Sequence, residues 1–117
     1  ELIQTSSYYA RYPDFGSMTG LIAEGNGISL CSKSPEGSLR LYTTTVRDTI
    51  IERARMDPQG RLGIGTSTPE AKLHVADGDI YLEDVNSGIL MRSSDGQLWR
   101  IRIDNTGNLV SAPAEIE

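Results

Sequence analysis

The sequence predicts an all-β protein of short strands and hairpins. Turn-forming residues interrupt the apolar stretches roughly every 8–12 residues, a spacing typical of all-β chains. Helix signals are scarce, and the best candidate, residues 45–54, is rich in the β-branched residues that favour strands. A pattern that has the form of a hairpin also occurs twice in the chain.

The apolar stretches provide the candidate strands. Most of them have only four to seven residues, so a stable sheet requires several neighbours and a shared apolar face. The candidate strands are residues 27–31, 38–43, 50–56, 61–64, 72–75, 80–83, 89–92, 97–103 and 108–111.

The repeated pattern has the form Arg-x-Arg-apolar-Asp-x-x-Gly-x-Leu. It occurs as RARMDPQGRL at 53–62 and as RIRIDNTGNL at 100–109, and the two copies align without a gap. Strand alternation predicts that the arginines of each copy lie on one face and the apolar residues on the other. The aspartate is expected to cap a turn, and Gly60 and Gly107 to have a positive φ. A further turn is predicted before each copy, at SPEG and SSDG.

Composition limits the possible functions. The 117 residues suffice for one domain, but only 38% are apolar and 6% aromatic, which predicts a small core or one completed by further copies. The net charge of −5 disfavours non-specific binding to nucleic acid or to an anionic membrane. No apolar run approaches the roughly 18 residues of a membrane span. Cys31 is the only cysteine, which excludes an intrachain disulfide, and we expect it to be a small buried residue.

The stretch GRLGIGTSTPEAKLHV, at 60–75, could be a phosphate-binding loop or a structural turn. A P-loop requires Gly-x-x-x-x-Gly-Lys-Ser/Thr followed by a helix. Gly60 and Gly65 have the right spacing, but Thr66 occupies the lysine position and Pro69 interrupts the helix. We therefore predict that the glycines allow close backbone approach or a positive φ, and that the stretch turns the chain.

Other candidate chemistry is sparse. His74, the only histidine, is expected at an exposed strand position opposite in direction to Leu73 and Val75. Four acidic residues could suit calcium, but they lack the EF-hand order, and a solvated loop is the favoured interpretation: Asp77, Asp79, Glu83 and Asp84. We expect no metal, no cofactor and no catalytic residue.

Aromatic residues are concentrated near the start of the chain. Packing between subunits is the favoured role for these rings, and contact with a ligand is the alternative. They are the candidate ligand-binding residues of the sequence: Tyr8, Tyr9, Tyr12 and Phe15. Trp99 alternates with Ile101 and Ile103 and is expected in the core rather than at a ligand.

Residues 48–75 resemble a segment common in bacteriophage tail fibres and related trimeric adhesins. Residues 88–110 also resemble C-terminal segments of such proteins, in which a Gly turn leads into a Trp-Arg-Ile strand. The resemblance implies three chains about one axis, with the Gly-Ile-Gly-Thr piece as a tight crossover near that axis. It is carried mainly by Arg53, Arg55, Met56, Asp57, Gly60, Leu62, Gly63, Ile64, Gly65, Thr66, Pro69, Leu73 and Val75.

The chain is thus expected to form one continuous domain with an aromatic-rich segment (1–26), a fibre-type β repeat (27–76) and a C-terminal hairpin segment (77–117). The expected function is non-enzymatic recognition of a host-cell surface receptor, a glycan or a protein. It would be performed by an intertwined homotrimer near the distal end of a phage tail fibre or a bacterial surface adhesin. The alternatives are a structural shaft or knob module without its own ligand, and a carbohydrate-active enzyme, which would need paired carboxylates at a cleft.

Overall fold

The computed structural model describes residues 29–116, and this part of the chain is all-β, as the sequence predicts. No helix occurs among these residues, and therefore none long and apolar enough to cross a membrane. The strands are β1 (Leu39–Val46), β2 (Thr49–Met56), β3 (Leu62–Ile64), β4 (Leu73–Val75), β5 (Ile89–Arg92), β6 (Leu98–Ile103) and β7 (Leu109–Pro113).

Seven of the candidate strands are confirmed, with ends that shift by a few residues. Two predictions are wrong where the structure describes them. Residues 29–31 of the first candidate form no strand, and residues 80–83 have no strand partner among the described residues. The doubtful helix at 45–54 is instead the end of β1, a turn and most of β2.

The chain divides into two compact units, the first ending at Ala76 and the second beginning at Asp77. The first contains a four-stranded sheet in the order β1-β2-β3-β4, antiparallel except for the parallel pair β3-β4. The second contains an antiparallel three-stranded sheet in the order β5-β6-β7.

The two copies of the repeat form equivalent hairpins, which confirms the prediction. The N–H of Gly60 donates to the carbonyl of Asp57 over 2.9 Å, and that of Gly107 donates to Asp104 over 3.1 Å. Both glycines have the predicted positive φ, 75° and 87°. A third loop of the same kind joins β5 to β6, where Gly96 has φ 89° and donates to Ser93. The predicted turn at 93–96 is therefore the loop before the second copy.

The turn predicted at SPEG is confirmed, although β1 lies between it and the first copy. Ser34–Gly37 does form a turn, closed by a 2.9 Å hydrogen bond, but it precedes β1. The hairpin into β2 is made instead by Arg47 and Asp48, with Val46 paired to Thr49. Asp48 has φ 65°, a conformation that Asp tolerates better than most residues, so this loop lacks the glycine that marks the others.

Arg53 is a second departure from the repeat. Leu41 pairs with Ala54 and Tyr42 with Glu52, so Arg53 is the extra residue of a β-bulge. Its Nε donates to Thr43 Oγ1 over 2.7 Å, whereas Arg55 Nε donates to Glu52. The prediction that both arginines share a face therefore holds for β6, whose register is regular, and is broken by the bulge in β2.

The Gly-Ile-Gly-Thr stretch turns the chain. Gly63 and Ile64 belong to β3, and residues 65–72 return the chain to β4, which runs parallel to β3. The Gly65 N–H donates to Arg53 O, and the Thr68 N–H to Thr66 Oγ1, so these amides have partners within the protein. A Cβ at Gly63 would lie 2.7 Å from Thr66 O, which explains the glycine as close backbone approach.

Candidate interaction surfaces

One face of the four-stranded sheet carries a contiguous group of apolar side chains. The side chains of paired residues in neighbouring strands lie on the same side of a sheet. The observed pairing therefore forms two adjacent rows of side chains across the four strands. The first row joins Leu39 to Met56, Leu62 and Leu73, and the second joins Leu41 to Ala54, Ile64 and Val75. We call these eight residues the four-strand face.

The four-strand face is largely exposed to solvent. Leu41 is 65% exposed, Leu73 52% and Met56 44%. No described residue of this face is buried. A contiguous exposed apolar surface of this kind is a feature typical of interaction sites, so the four-strand face is a candidate for one.

The opposite side of the same sheet is polar and internally paired. Arg55 Nη2 lies 2.8 Å from Glu52 Oε1, and Arg40 Nε lies 3.7 Å from the same oxygen. His74 pairs with Gly63 in the neighbouring strand, and its Nδ1 accepts the Glu70 N–H over 3.2 Å. His74 is therefore half-buried and hydrogen bonded to a nearby backbone amide, so the prediction that it is exposed is wrong.

The three-stranded sheet also has an apolar face, which we call the three-strand face. Its apolar side chains are those of Ile89, Met91, Trp99, Ile101, Ile103 and Leu109, and Ser111 and Pro113 of β7 lie on the same face. Part of it forms the floor of an open groove of about 600 Å³, walled on one side by Leu82–Val85. Ile103 is 62% exposed and Leu109 75%.

Trp99 is not in a core. It lies half-buried on the three-strand face, and its Nε1 donates to Ser93 Oγ over 3.0 Å. The buried apolar residue of this sheet is its neighbour Leu98, on the opposite face and 9% exposed. No described side chain is fully buried, so residues 29–116 do not form by themselves the core in which Trp99 was expected.

The hairpin loops hold ionised carboxylates at fixed positions. Hydrogen bonds from the backbone N–H of Asn108 and from the hydroxyl and N–H of Thr106 lower the pKa of Asp104 to about 2. Burial of Asp57 acts to raise its pKa, but hydrogen bonds from the N–H and guanidinium of Arg61 outweigh it, so the pKa is lowered. These carboxylates stabilise loops and have few lone pairs left for a ligand.

A polar groove of about 390 Å³ lies beside the first repeat, and a glycan-cleaving site would need two carboxylates in a cleft of this kind. It contains Asp57 and Glu70, but Asp57 is only 9% exposed and forms an ion pair with Arg61 at 2.8 Å. A carboxylate held in this way is poorly placed to exchange a proton with a substrate.

The remaining sequence candidates are distributed as follows. Tyr8, Tyr9, Tyr12 and Phe15 lie outside the described residues. Cys31 is exposed and precedes the first described turn, so the expectation that it is buried is wrong. Within residues 29–116 no group of side chains is arranged to hold a metal ion, and Asp84 is engaged in its own turn through Asn86 and Ser87.

Comparison with known proteins adds no relative: no family model, no curated protein and no solved structure matches this chain.

Proposed function

We propose that the chain is part of a homotrimeric fibre, a phage tail fibre or a bacterial adhesin, and lies at or near its distal, receptor-binding end. The observation that carries the proposal is the pair of exposed apolar faces, one on each sheet. The resemblance of residues 48–75 and 88–110 to tail-fibre segments supports the same assembly. This location would place the protein on a virion or on a bacterial surface.

Burial of the four-strand face would supply the driving force. Full burial of a Leu, Ile or Met side chain contributes about 1.5–3 kcal/mol, and these side chains are already about half-covered. Each therefore still has on the order of 1 kcal/mol to gain. Leu39, Leu41, Met56, Ile64 and Leu73 together would contribute several kcal/mol per copy, enough to couple folding to assembly.

Copies of the same chain are the occupants that we favour. The sheets leave β1, β4, β5 and β7 as edges among the described strands, and exposed edges of this kind invite pairing with another chain. A closed ring of identical copies covers faces and edges together, whereas an open array would continue without end.

Assembly can be tested by light scattering on the full chain. A trimer has three times the chain mass of 12.8 kDa, or about 38 kDa, and the mass should persist on dilution. Leu41→Glu places a charge on the four-strand face and should reduce the mass to that of one chain. Gln59→Glu adds the same charge at an exposed loop tip and should leave the trimer intact.

The outcome separates assembly from simple misfolding, since Leu41 is 65% exposed in the single chain and a charge there has little to disturb. A parent chain that stays folded as a monomer at micromolar concentration would contradict the trimer. Unchanged mass for Leu41→Glu would contradict the role of the four-strand face.

Receptor recognition is the second half of the proposal. Three copies would present each contact three times, so weak contacts with a glycan or protein would gain strength through avidity. A glycan array and a host-cell adhesion assay with the trimer test this half directly. An assembled trimer that binds neither would instead be a structural shaft or knob module, and glycan hydrolysis in the same samples would favour the enzyme alternative.

A further inference from the structure

We propose that residues 80–83 form a strand in trans, which pairs with the open edge of β5 in a second copy of the chain. The inference rests on the proposed trimer and names one of its contacts. Its starting point is that the sequence predicts a strand at Ile80–Glu83, whereas no residue among 29–116 pairs with this segment as a strand.

The segment is suited to pairing. Residues 79–84 contain no helix, turn or bend. Residues 79–83 make no backbone–backbone hydrogen bond to any other described residue. Backbone N–H and C=O groups require hydrogen-bond partners once water is excluded. Those of residues 79–83 are therefore available to pair with another strand. Its apolar side chains are exposed: Ile80 is 66%, Tyr81 81% and Leu82 53% exposed.

Pairing within one copy is the obvious alternative, because only five residues separate the segment from β5. That connection is a turn, in which the Ser87 N–H donates to Asp84 O over 3.0 Å and the Asp84 carboxylate accepts from Asn86 and Ser87. Despite this closed turn, the segment does not join the sheet, and no described strand occupies the outer edge of β5. A hairpin is therefore available to the sequence but is not formed.

Of the two edges of this sheet, that of β5 is better suited to hydrogen bonding with an added strand. All four β5 residues are exposed, and none of them is a proline, so every N–H on the outer edge of β5 is present. The other edge strand, β7, ends at Pro113, which has no N–H. An added strand therefore finds a more complete ladder at β5.

A parallel register matches the side chains of both strands. With Ile80 beside Ile89 and Leu82 beside Met91, the apolar residues extend the three-strand face. The other side then brings Glu83 beside Arg92, an opposite-charge pair. This charge match, between an acidic segment and a β5 that contains no acidic residue, favours a second copy as the occupant.

Disulfide trapping tests the register. Neighbouring strands lie about 4.7–4.9 Å apart, within the roughly 4.4–6.8 Å that separates the Cα atoms of a disulfide. In a Cys31→Ser background, the double variant Glu83→Cys/Arg92→Cys should oxidise to a covalent trimer, with loss of the monomer band on a non-reducing gel. The matched control, Glu83→Cys/Val110→Cys, moves the second thiol to β7 and should remain monomeric on the same gel.

Each result has a distinct meaning. A trimer by light scattering that gives only intramolecular disulfides, or that cross-links equally in the control, overturns this strand pairing and leaves the proposed trimer standing. A parent chain that is monomeric overturns both.

A charge-reversal cycle provides an independent readout: Glu83→Arg and Arg92→Glu should each lower the thermal midpoint of the trimer, and the combination should recover part of the loss. Additive losses would contradict the Glu83–Arg92 contact.

Discussion

Replacing Gly65 by alanine should destabilise the protein far more than replacing Gly60, although both glycines have a φ of 75°. A left-handed backbone costs a residue with a Cβ about 1–2 kcal/mol, and both substitutions incur this cost. At Gly60 the new Cβ would meet only Lys72 Nζ, at 3.8 Å. At Gly65 it would lie 2.5 Å from the carbonyl oxygen of Ala76, which is closer than such atoms can approach.

Relief of that contact has a structural consequence. The N–H of Ala76 donates to Ile64 O over 2.9 Å and extends the parallel pairing of β3 with β4, so moving Ala76 weakens this pairing. Overpacking of this kind costs about 1–3 kcal/mol beyond the backbone term. We therefore expect a loss of about 2–5 kcal/mol for Gly65→Ala and about 1–2 kcal/mol for Gly60→Ala.

Urea denaturation followed by circular dichroism measures the difference. Both variants must be compared at one protein concentration, because assembly would make stability depend on concentration. Since the two substitutions reduce the freedom of the unfolded chain equally, the difference between them isolates the contact with Ala76. Equal losses of stability would refute the close approach at Gly65.

Three further predictions concern the loops, the apolar face and the N-terminal segment. Because folding lowers the pKa of Asp104 to about 2 from about 3.9, its contribution to stability is complete above pH ~4 and is lost as the pH falls toward 2. Asp104→Asn should flatten this part of the profile of thermal midpoint against pH, and an unchanged profile would contradict it. Trp99 fluorescence should be shielded from acrylamide in the trimer and become quenchable when Leu41→Glu separates the copies; equal quenching would show that Trp99 stays outside the interface. If Tyr8 and Tyr12 have the alternative role of ligand contact, Tyr8→Ala and Tyr12→Ala should reduce host-cell adhesion without changing the mass of the assembly. A lower mass would favour packing between subunits, and unchanged adhesion would count against a tyrosine contact.

Local chemistry made much of this fold predictable. The Asp-x-x-Gly loops could be read from the sequence because each requirement lies within five residues, and the positive φ of Gly60 and Gly107 followed from that alone. The third loop, at Ser93–Gly96, uses Ser93 in place of the aspartate, and its Oγ hydrogen bonds to Asp95 and to the Gln97 carbonyl. The same geometry is therefore reached from a different residue.

The failures depend on distant parts of the chain. The bulge at Arg53 is a matter of register between β1 and β2, and no property of the ten-residue repeat reveals it. The burial expected for Cys31 and Trp99 assumed a core within one chain, which the described residues do not form. The alternation that produces the four-strand face is visible in each strand separately, but only the observed pairing brings its two rows together.

The short connections between the strands have a kinetic consequence. Four of the five strand pairs are antiparallel neighbours in sequence, and only β3 and β4 require a longer return. Hairpins with such brief loops form in about 1–10 μs, before a newly made chain meets another. The slow step would then be a collision between chains whose hairpins are ready and whose apolar faces are still uncovered. Below a threshold concentration these chains would remain unassembled, and above it productive assembly would compete with aggregation. The rate of synthesis would therefore affect the yield of the assembled protein.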